Sequence, residues 1–169
     1  DYGRTTIAGE VPFIFYDAKT GDVKVLCGVG TAPLDPNSVK WYYEKGMPYR
    51  ANLKWSPVPS TISLCAKAIG LYGTMSFGQV VGPTLAILDE HEEDWHENLA
   101  KTLRRLVETE RETVGSREQK IQAARDRFYK GDIADELLDY YISNGGFMRK
   151  EDLAAHVTRV EEPVKVEYR

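Results

Sequence analysis

Residues 128–134 read Phe-Tyr-Lys-Gly-Asp-Ile-Ala, and this stretch, taken with the segments that follow it, decides the fold. A Gly-Gly pair stands at residues 145–146, and residues 150–154 read Lys-Glu-Asp-Leu-Ala. Residues 163–169 read Pro-Val-Lys-Val-Glu-Tyr-Arg, with valines at alternate positions. The last quarter of the chain therefore predicts, in order, a turn at a glycine, a helix end at a glycine pair, a short helix and a strand with alternating valines.

Helical periodicity fills the middle of the chain. Residues 93–113 carry apolar side chains every three or four positions and form the clearest predicted helix. A shorter helix is predicted between Asp35 and Gly46. Side chains that commonly cap helix N-termini predict the starts of four more helices, at Ser60, Ser76, Ser116 and Asp132. Pro83 lies inside one of these patterns and predicts a kink or a split there.

Strand patterns stand at both ends. Residues 11–16 and 22–27 predict a hairpin, because residues 17–21 between them supply the Asp and Gly of a tight turn. Residues 157–168 predict one further strand at the C-terminal end. Terminal strands joined through a helical middle are typical of a layered α+β protein, in which both ends meet in one sheet.

Length, charge and hydropathy limit the class of protein. A chain of 169 residues predicts a single domain, assigned here to residues 1–169. The net charge is −4 and basic residues are not clustered, which disfavours nucleic-acid binding. No apolar run approaches the roughly 20 residues that span a bilayer, so no membrane span is expected. Cys27 and Cys65 are too few for a disulfide framework and are interpreted as buried free thiols.

The first residues, Asp-Tyr-Gly-Arg, include no initiator Met and do not have the pattern of a signal peptide. The chain is therefore expected to begin inside a longer product.

A metal site at His91 and His96 is disfavoured. The two histidines are five residues apart, which places them about 140° apart around a helix, whereas the zinc-protease spacing of four keeps both on one face. The acidic residues between them are better interpreted as a helix start that favours the positive end of the helix dipole.

Motif chemistry by itself does not identify an activity. Residues 28–33 read Gly-Val-Gly-Thr-Ala-Pro, but no Lys-Ser or Lys-Thr pair follows, so a turn after a strand is favoured over a phosphate loop. No Ser, Thr or Cys has a persuasive activating base in the sequence. Aromatic side chains at residues 41–43 and at Trp55 are compatible with stacking against a sugar or base, although ordinary packing is the commoner explanation.

Four blocks, in order, resemble the large subunit of gamma-glutamyltransferases, which are N-terminal-nucleophile (Ntn) hydrolases. Residues 15–21 resemble a hairpin of that family, and residues 28–33 resemble its Gly-Arg-Glu-Thr-Ala-Pro turn. Residues 58–61, leading to residues 72–77, resemble its Val-Pro-Gly-Thr and Tyr-Gly-Thr segments. The fourth block is the C-terminal one that begins at residue 128. Together these blocks span nearly the whole chain.

The resemblance implies the layered αββα fold of Ntn hydrolases and a place for this chain within the large subunit. It implies a Thr nucleophile that lies C-terminal of this segment, so no catalytic residue and no metal ligand is assigned here. The matching turn assigns substrate binding to Gly28, Val29, Gly30 and Thr31. The implied partners are the remainder of the large subunit and the small subunit, and the implied substrate is a small acyl amide, as in glutathione metabolism. Ntn chemistry implies no cofactor, and the family suggests a periplasmic or extracellular location.

One departure from the family concerns substrate choice. The family turn carries an Arg that is understood to hold the substrate's alpha-carboxylate, and Val29 stands in its place here. Residues 7–12, which match a glycine-rich strand, have lost most of those glycines. A less polar acyl amide, as in cephalosporin acylases, is then a consistent substrate. The alternatives are a catalytically inactive family member with a structural or interaction role, and an unrelated α+β domain.

Overall fold

The computed structural model describes residues 7–46, 52–90 and 94–168. Within these ranges the chain is a mixed α+β structure with strands at both ends and helices between them. The predicted fold class is therefore confirmed. No helix in the described ranges is long and apolar enough to cross a membrane.

The sheet joins the two ends of the chain. It contains β1 (Val11–Asp17), β2 (Asp22–Gly28) and β3 (Arg159–Glu161), in that order and with antiparallel neighbours. Phe13 pairs with Leu26, and Leu26 pairs on its other side with Val160. Leu26 is fully buried. The hairpin and the shared sheet of the terminal strands are thus confirmed, although about 130 residues separate β2 from β3 in the sequence.

The C-terminal strand is shorter than predicted. Only residues 159–161 pair with β2, whereas the alternating pattern predicts a strand over residues 157–168. Val164 and Val166 are 96% and 87% exposed, so no described part of the chain covers them. An alternating apolar pattern indicates side chains that suit a sheet, but a strand also needs a hydrogen-bonding partner along its length.

Seven α-helices and one short 3₁₀ turn occupy the middle of the described chain. Their bounds are α1 Pro36–Lys45, the 3₁₀ turn Leu53–Trp55, α2 Thr61–Tyr72, α3 Phe77–Asp89, α4 Asp94–Glu112, α5 Arg117–Lys130, α6 Asp132–Ser143 and α7 Lys150–Ala155. The helix α2 packs against the sheet on one side and against α5 on the other, and α5 also contacts α4, α6 and α7. The decisive stretch at residues 128–134 therefore includes the end of the most central helix.

Two of the four predicted caps are confirmed. Ser76 and Ser116 each accept a hydrogen bond from the backbone N–H three residues later, and Gln79 and Gln119 return the contact in capping boxes. Ser60 precedes α2 but makes no cap bond with its side chain.

The predicted cap at Asp132 is wrong by one residue. Gly131 is the N-cap of α6, and Asp132 is the first helical residue. The Asp132 carboxylate instead accepts hydrogen bonds from Arg127 at 2.9 and 3.0 Å. These bonds hold the pKa of Asp132 at about 2.

Pro83 does not split the helix, because α3 runs through Pro83 without a break. A proline inside a helix removes one backbone hydrogen bond, and packing of the apolar face can compensate for that loss. Here α3 packs along α4, with Leu88, Ala100 and Leu103 buried between them.

A buried carboxylate fixes the start of α3. Glu110 falls on the apolar face of α4 and is only 7% exposed. Its two oxygens accept hydrogen bonds from the backbone N–H groups of Phe77 and Gly78 at 2.7 and 2.8 Å. Carboxylates are stabilised at helix N-termini, which explains why a charge is tolerated on the apolar face of a helix.

Cys27 and Cys65 are free, as predicted, but both are partly exposed and not fully buried. His91 lies outside the described residues, and the side chain of His96 is not described, so the interpretation of that segment stays a prediction. Of the aromatic cluster, Tyr42 donates its hydroxyl to the Lys54 carbonyl at 3.0 Å and Trp41 packs near Phe147, contacts that belong to ordinary packing.

Candidate functional site

The four residues assigned to substrate binding are consecutive, residues 28–31, and begin at Gly28, the last residue of β2. We refer to them as the candidate turn. Gly28 is buried at its base, while Val29 is 50% exposed at the point where the chain leaves the sheet. Thr31 is also exposed. The sheet thus ends in a turn that presents an apolar side chain to the surface of the described structure.

Close backbone contacts explain both glycines of the turn. A Cβ atom on Gly28 would lie 2.3 Å from the Val11 carbonyl oxygen and 2.5 Å from the Leu64 side chain. A Cβ atom on Gly30 would lie 2.2 Å from the Val58 carbonyl oxygen. Such distances are far inside van der Waals contact, so any other residue at either position would displace backbone.

A proline-containing connector, residues 57–60, supports the turn from behind. The Val58 N–H donates to the Thr31 carbonyl at 2.9 Å. The Ser60 hydroxyl contacts the carbonyl of Gly28 and lies 3.0 Å from that of Gly9. This explains the missing cap bond on α2, because the Ser60 side chain points to the candidate turn and is not available to the helix.

Two carboxylates hold the turn at its edges. Glu10 accepts a hydrogen bond from the Gly30 N–H at 2.8 Å. Asp152 is buried, and its oxygens accept from the Leu34 and Arg149 N–H groups, both at 2.6 Å. Asp152 therefore joins the segment after the candidate turn to the start of α7.

The sequence analysis assigned the four turn residues but did not identify Glu10, Ser60 or Asp152 as their supports. Glu10 lies in residues 7–12, the stretch that has lost most of the glycines of the matching family strand. Asp152 lies in the quoted block at residues 150–154, but nothing local in the sequence indicates that its partner is 118 residues away.

Chemically, the candidate turn offers an apolar side chain and backbone groups that are mostly in use. The Gly28 and Thr31 carbonyls and the Gly30 N–H all have partners within the described chain. No cationic side chain bonds to the turn in the described residues, and the exposed carboxylate of Glu10 lies beside it. The arrangement favours a neutral or apolar ligand group over an anionic one.

A second group of polar side chains, which the sequence analysis missed, lies between α2, α5 and the residues after α7. The Arg125 Nε donates to the Ser63 hydroxyl at 3.1 Å, and the Thr158 hydroxyl lies 2.9 Å from the same oxygen. Arg125 also bonds to the His156 carbonyl. Ser63, Thr158 and His156 are each at most 3% exposed. In the sequence, the only available signal was that Arg125 falls beside Ile121 and Phe128 on the apolar face of α5.

The ring of His156 is unusual within this group. It stacks on Tyr129 at 5.4 Å between centroids, and neither of its ring nitrogens has a hydrogen-bond partner among the described residues. Burial lowers the pKa of His156, and the nearby positive charge of Arg125 lowers it further. The imidazole is therefore neutral near pH 7.

Comparisons with known proteins agree with the fold, and the family match covers the C-terminal block. The sequence model of the family described as Gamma-glutamyltranspeptidase matches residues 87–169. The glutathione hydrolase proenzyme of Escherichia coli (strain K12) is 27% identical over 153 aligned positions, covering 68% of this chain and 24% of the relative. The glutathione hydrolase proenzyme of Bacillus subtilis (strain 168) is 25% identical over 190 positions, covering 96% of this chain and 32% of the relative. The chain thus spans about a quarter to a third of the length of these relatives.

Solved structures show the same fold. The gamma-glutamyltranspeptidase of Helicobacter pylori superposes with a TM-score of 0.74 at 20% identity, covering 96% of this chain and 55% of that one. A cephalosporin acylase from Bacillus halodurans superposes with a TM-score of 0.68 at 19% identity, covering 96% of this chain and 36% of that one. The family match, the two relatives and the shared fold lead to one conclusion: the chain is similar to the gamma-glutamyltranspeptidase family, whose sequence model matches its residues 87–169.

Proposed function

We propose that this chain is part of an Ntn-type acyltransferase or amidohydrolase, in which it supplies scaffold and one wall of the acyl pocket. The wall is the candidate turn, residues 28–31. The Thr nucleophile lies outside these 169 residues, on the small subunit, and its own alpha-amine acts as the base. The Thr hydroxyl oxygen gives its proton to the alpha-amine and attacks an amide carbonyl; the C–N bond breaks and the amine leaves with that proton. Water or an acceptor amine then attacks the acyl-enzyme ester, and the Thr oxygen leaves and regains a proton.

The observation that carries this proposal is the way Val29 is presented. Its side chain is half exposed, while the backbone on both sides is held by Ser60, Val58 and Glu10. A rigid backbone with one outward side chain is suited to select among ligands, because the pocket wall need not reorganise when a ligand binds. The same position carries the carboxylate clamp in the family turn.

The proposed donor is an amide with an uncharged, largely apolar acyl group. An Arg clamp binds a carboxylate through two charge-assisted hydrogen bonds, and Val29 offers neither charge nor donor. The Glu10 carboxylate beside Gly30 adds a negative charge that disfavours a second carboxylate nearby. Both residues act in the same direction, against gamma-glutamyl donors.

The test is donor preference in the whole protein. Release of nitroaniline is followed from gamma-glutamyl nitroanilide and from hexanoyl nitroanilide, which are matched in leaving group. The proposal expects a higher kcat/KM for the hexanoyl donor. A preference for the gamma-glutamyl donor would contradict it.

The second candidate function is an inactive family member with a structural or interaction role. Val29 in place of the clamp and the loss of most glycines over residues 7–12 both favour this alternative. It is supported if neither nitroanilide is turned over by whole protein that is shown to be folded. The implied partners remain the rest of the large subunit and the small subunit, with a periplasmic or extracellular location.

A further inference from the structure

A cleft of about 420 Å³ opens between α2, α5 and residues 154–158. Its volume lies in the range of roughly 300–1,000 Å³ that is typical of small-molecule pockets. The cleft shares no lining residue with the candidate turn. Its base is formed by the buried polar group described above: Ser63, Arg125, His156 and Thr158.

At the base of the cleft, some hydrogen-bond donors have no acceptor among the described residues. Arg125 has five N–H groups, and three of them are committed, to Ser63, Asp126 and the His156 carbonyl. Two N–H groups therefore remain on a side chain that is only 10% exposed. Each guanidinium nitrogen of Arg125 already donates one hydrogen bond, and the remaining N–H groups on its two terminal nitrogens can donate to a ligand that supplies acceptors.

The hydroxyl groups add one further unused donor. Ser63 and Thr158 have two hydroxyl protons, of which one is used between them, since the Ser63 oxygen already accepts from Arg125. A neutral imidazole has one N–H donor and one nitrogen that accepts, and neither ring nitrogen of His156 has a partner among the described residues.

The rim of the cleft carries positive charge. Lys67 lies one helical turn after Ser63 on α2, is exposed, and forms no ion pair within the described chain. Lys130 also lines the cleft, where it pairs with Asp126 at 3.3 Å, and Glu118 is the single lining carboxylate. Asp126 already neutralises part of the charge on Arg125 at 2.9 Å, so the remaining charge suits a singly charged ligand better than a phosphate.

The walls of the cleft are apolar or open. Ile121 and Ala66 are buried on opposite sides, on α5 and α2. At Gly70 a Cβ atom would meet nothing within 4 Å, so this helix position leaves the cleft unfilled. An apolar body of a few carbon atoms fits between these walls.

We propose that this cleft binds a small monocarboxylate with a short apolar body. The carboxylate lies at the base, where it accepts from Arg125 and from the Ser63–Thr158 hydroxyl pair, and Lys67 contributes from the rim. The inference does not depend on the proposed acyl transfer, since no residue of the candidate turn takes part.

The experiment measures binding of butyrate to the whole protein by saturation-transfer NMR and by isothermal titration. Butyramide, which has the same shape without the charge, and inorganic phosphate are the comparison probes. Butyrate is expected to bind at least roughly tenfold more tightly than either probe. Equal binding of butyramide, tighter binding of phosphate, or no butyrate binding would each overturn the proposal; the last is the result expected if another segment of the protein fills the cleft.

Gly70→Leu is the decisive variant, because its side chain enters open space in the cleft without a backbone clash. It should abolish butyrate binding while the protein stays folded. Gly82→Leu is the matched control, because Gly82 is also helical, has nothing within 4 Å of a Cβ atom, and does not line the cleft. Unchanged butyrate binding in Gly70→Leu would overturn the proposal.

A second pair of variants tests the charge without disturbing the core. Lys67→Gln should weaken butyrate binding several-fold and leave butyramide unaffected, whereas Lys19→Gln, on the distant hairpin turn, should change neither. Equal effects of the two lysine variants would show that only the general surface charge matters and would contradict a role for Lys67.

Discussion

The hydroxyl of Tyr129 donates a hydrogen bond to the carbonyl of Pro59 at 2.6 Å, across 70 residues of sequence. The same oxygen accepts from the Ser63 N–H at 3.2 Å, and the Tyr129 side chain is fully buried. Burial raises the pKa of Tyr129 far above its ordinary value, so the phenol remains a donor throughout the range in which proteins are folded. Tyr129, which belongs to the stretch at residues 128–134, thus holds in place the connector, residues 57–60, that supports the candidate turn.

We expect Tyr129→Phe to lower the free energy of unfolding by about 1–3 kcal/mol, because it leaves the Pro59 carbonyl and the Ser63 N–H buried without a partner. The ring and its packing are retained. Chemical denaturation measures the change, and Tyr140→Phe, at a residue 61% exposed, is the control and should be nearly neutral. Equal effects in the two variants would show that the buried hydrogen bonds of Tyr129 contribute nothing net.

Glu10→Gln should raise kcat/KM of the whole protein for gamma-glutamyl donors. The Gln carbonyl still accepts from the Gly30 N–H, so the turn is kept while the negative charge is lost. We expect a rise of roughly threefold to tenfold, equivalent to about 0.7–1.4 kcal/mol, with no change for the hexanoyl donor. Glu167→Gln, at an exposed carboxylate far from the turn in sequence, is the control. A parallel change for both donors would assign Glu10 a purely structural role.

Val29→Arg should restore a carboxylate clamp on the candidate turn. A charge-assisted contact of this kind is worth about 1.5–3 kcal/mol, so kcat/KM for the gamma-glutamyl donor should rise at least tenfold. Val39→Arg adds the same charge at a residue of similar exposure, on α1, and should have no such effect. If donor preference is unchanged in Val29→Arg, the candidate turn is not the acyl-pocket wall, and the inactive alternative is favoured.

The 169-residue chain on its own should not turn over either nitroanilide, because none of its residues matches the family's Thr nucleophile. The assay is the same release of nitroaniline, with the whole protein as the positive control. Turnover by the isolated chain that a single substitution within it abolishes would contradict this assignment.

Stability should fall as the pH is lowered from about 7 to about 5, and His156 should account for part of that fall. Burial lowers the pKa of His156 in the folded state. Below the ordinary His pKa, the unfolded chain takes up a proton that the folded chain does not, so protons favour unfolding. The contribution of His156 is complete above the unfolded pKa and decreases as the pH falls toward the folded one.

His156→Phe retains the ring that stacks on Tyr129 and removes the titration. The variant should show a flatter dependence of Tm on pH over this window than the unmodified protein, as measured by differential scanning calorimetry. The same slope in both proteins would show that other groups cause the fall.

The elements that the sequence predicted well depend on neighbours within a few residues. The capping boxes at Ser76 and Ser116 and the hairpin over residues 11–28 are of this kind. Two of the misassigned features depend on distant partners. Ser60 looks like a helix cap, but its hydroxyl is directed to Gly9 and Gly28, and the strand predicted to residue 168 stops at Glu161, where pairing with β2 ends.

The family resemblance and the helical middle with terminal strands could therefore be predicted from the sequence alone, because periodicity, caps and the ordered blocks are local patterns. The candidate turn could also be located, since its glycines and Val29 stand within one block. Only the tertiary structure showed what holds that turn, and that Ser63, Arg125, His156 and Thr158 meet beside a cleft. These hydrogen bonds join residues that are separated by 62 to 118 positions in the sequence, so they form only when the packing of α2, α5 and α7 brings the residues together. No local sequence pattern predicts that packing.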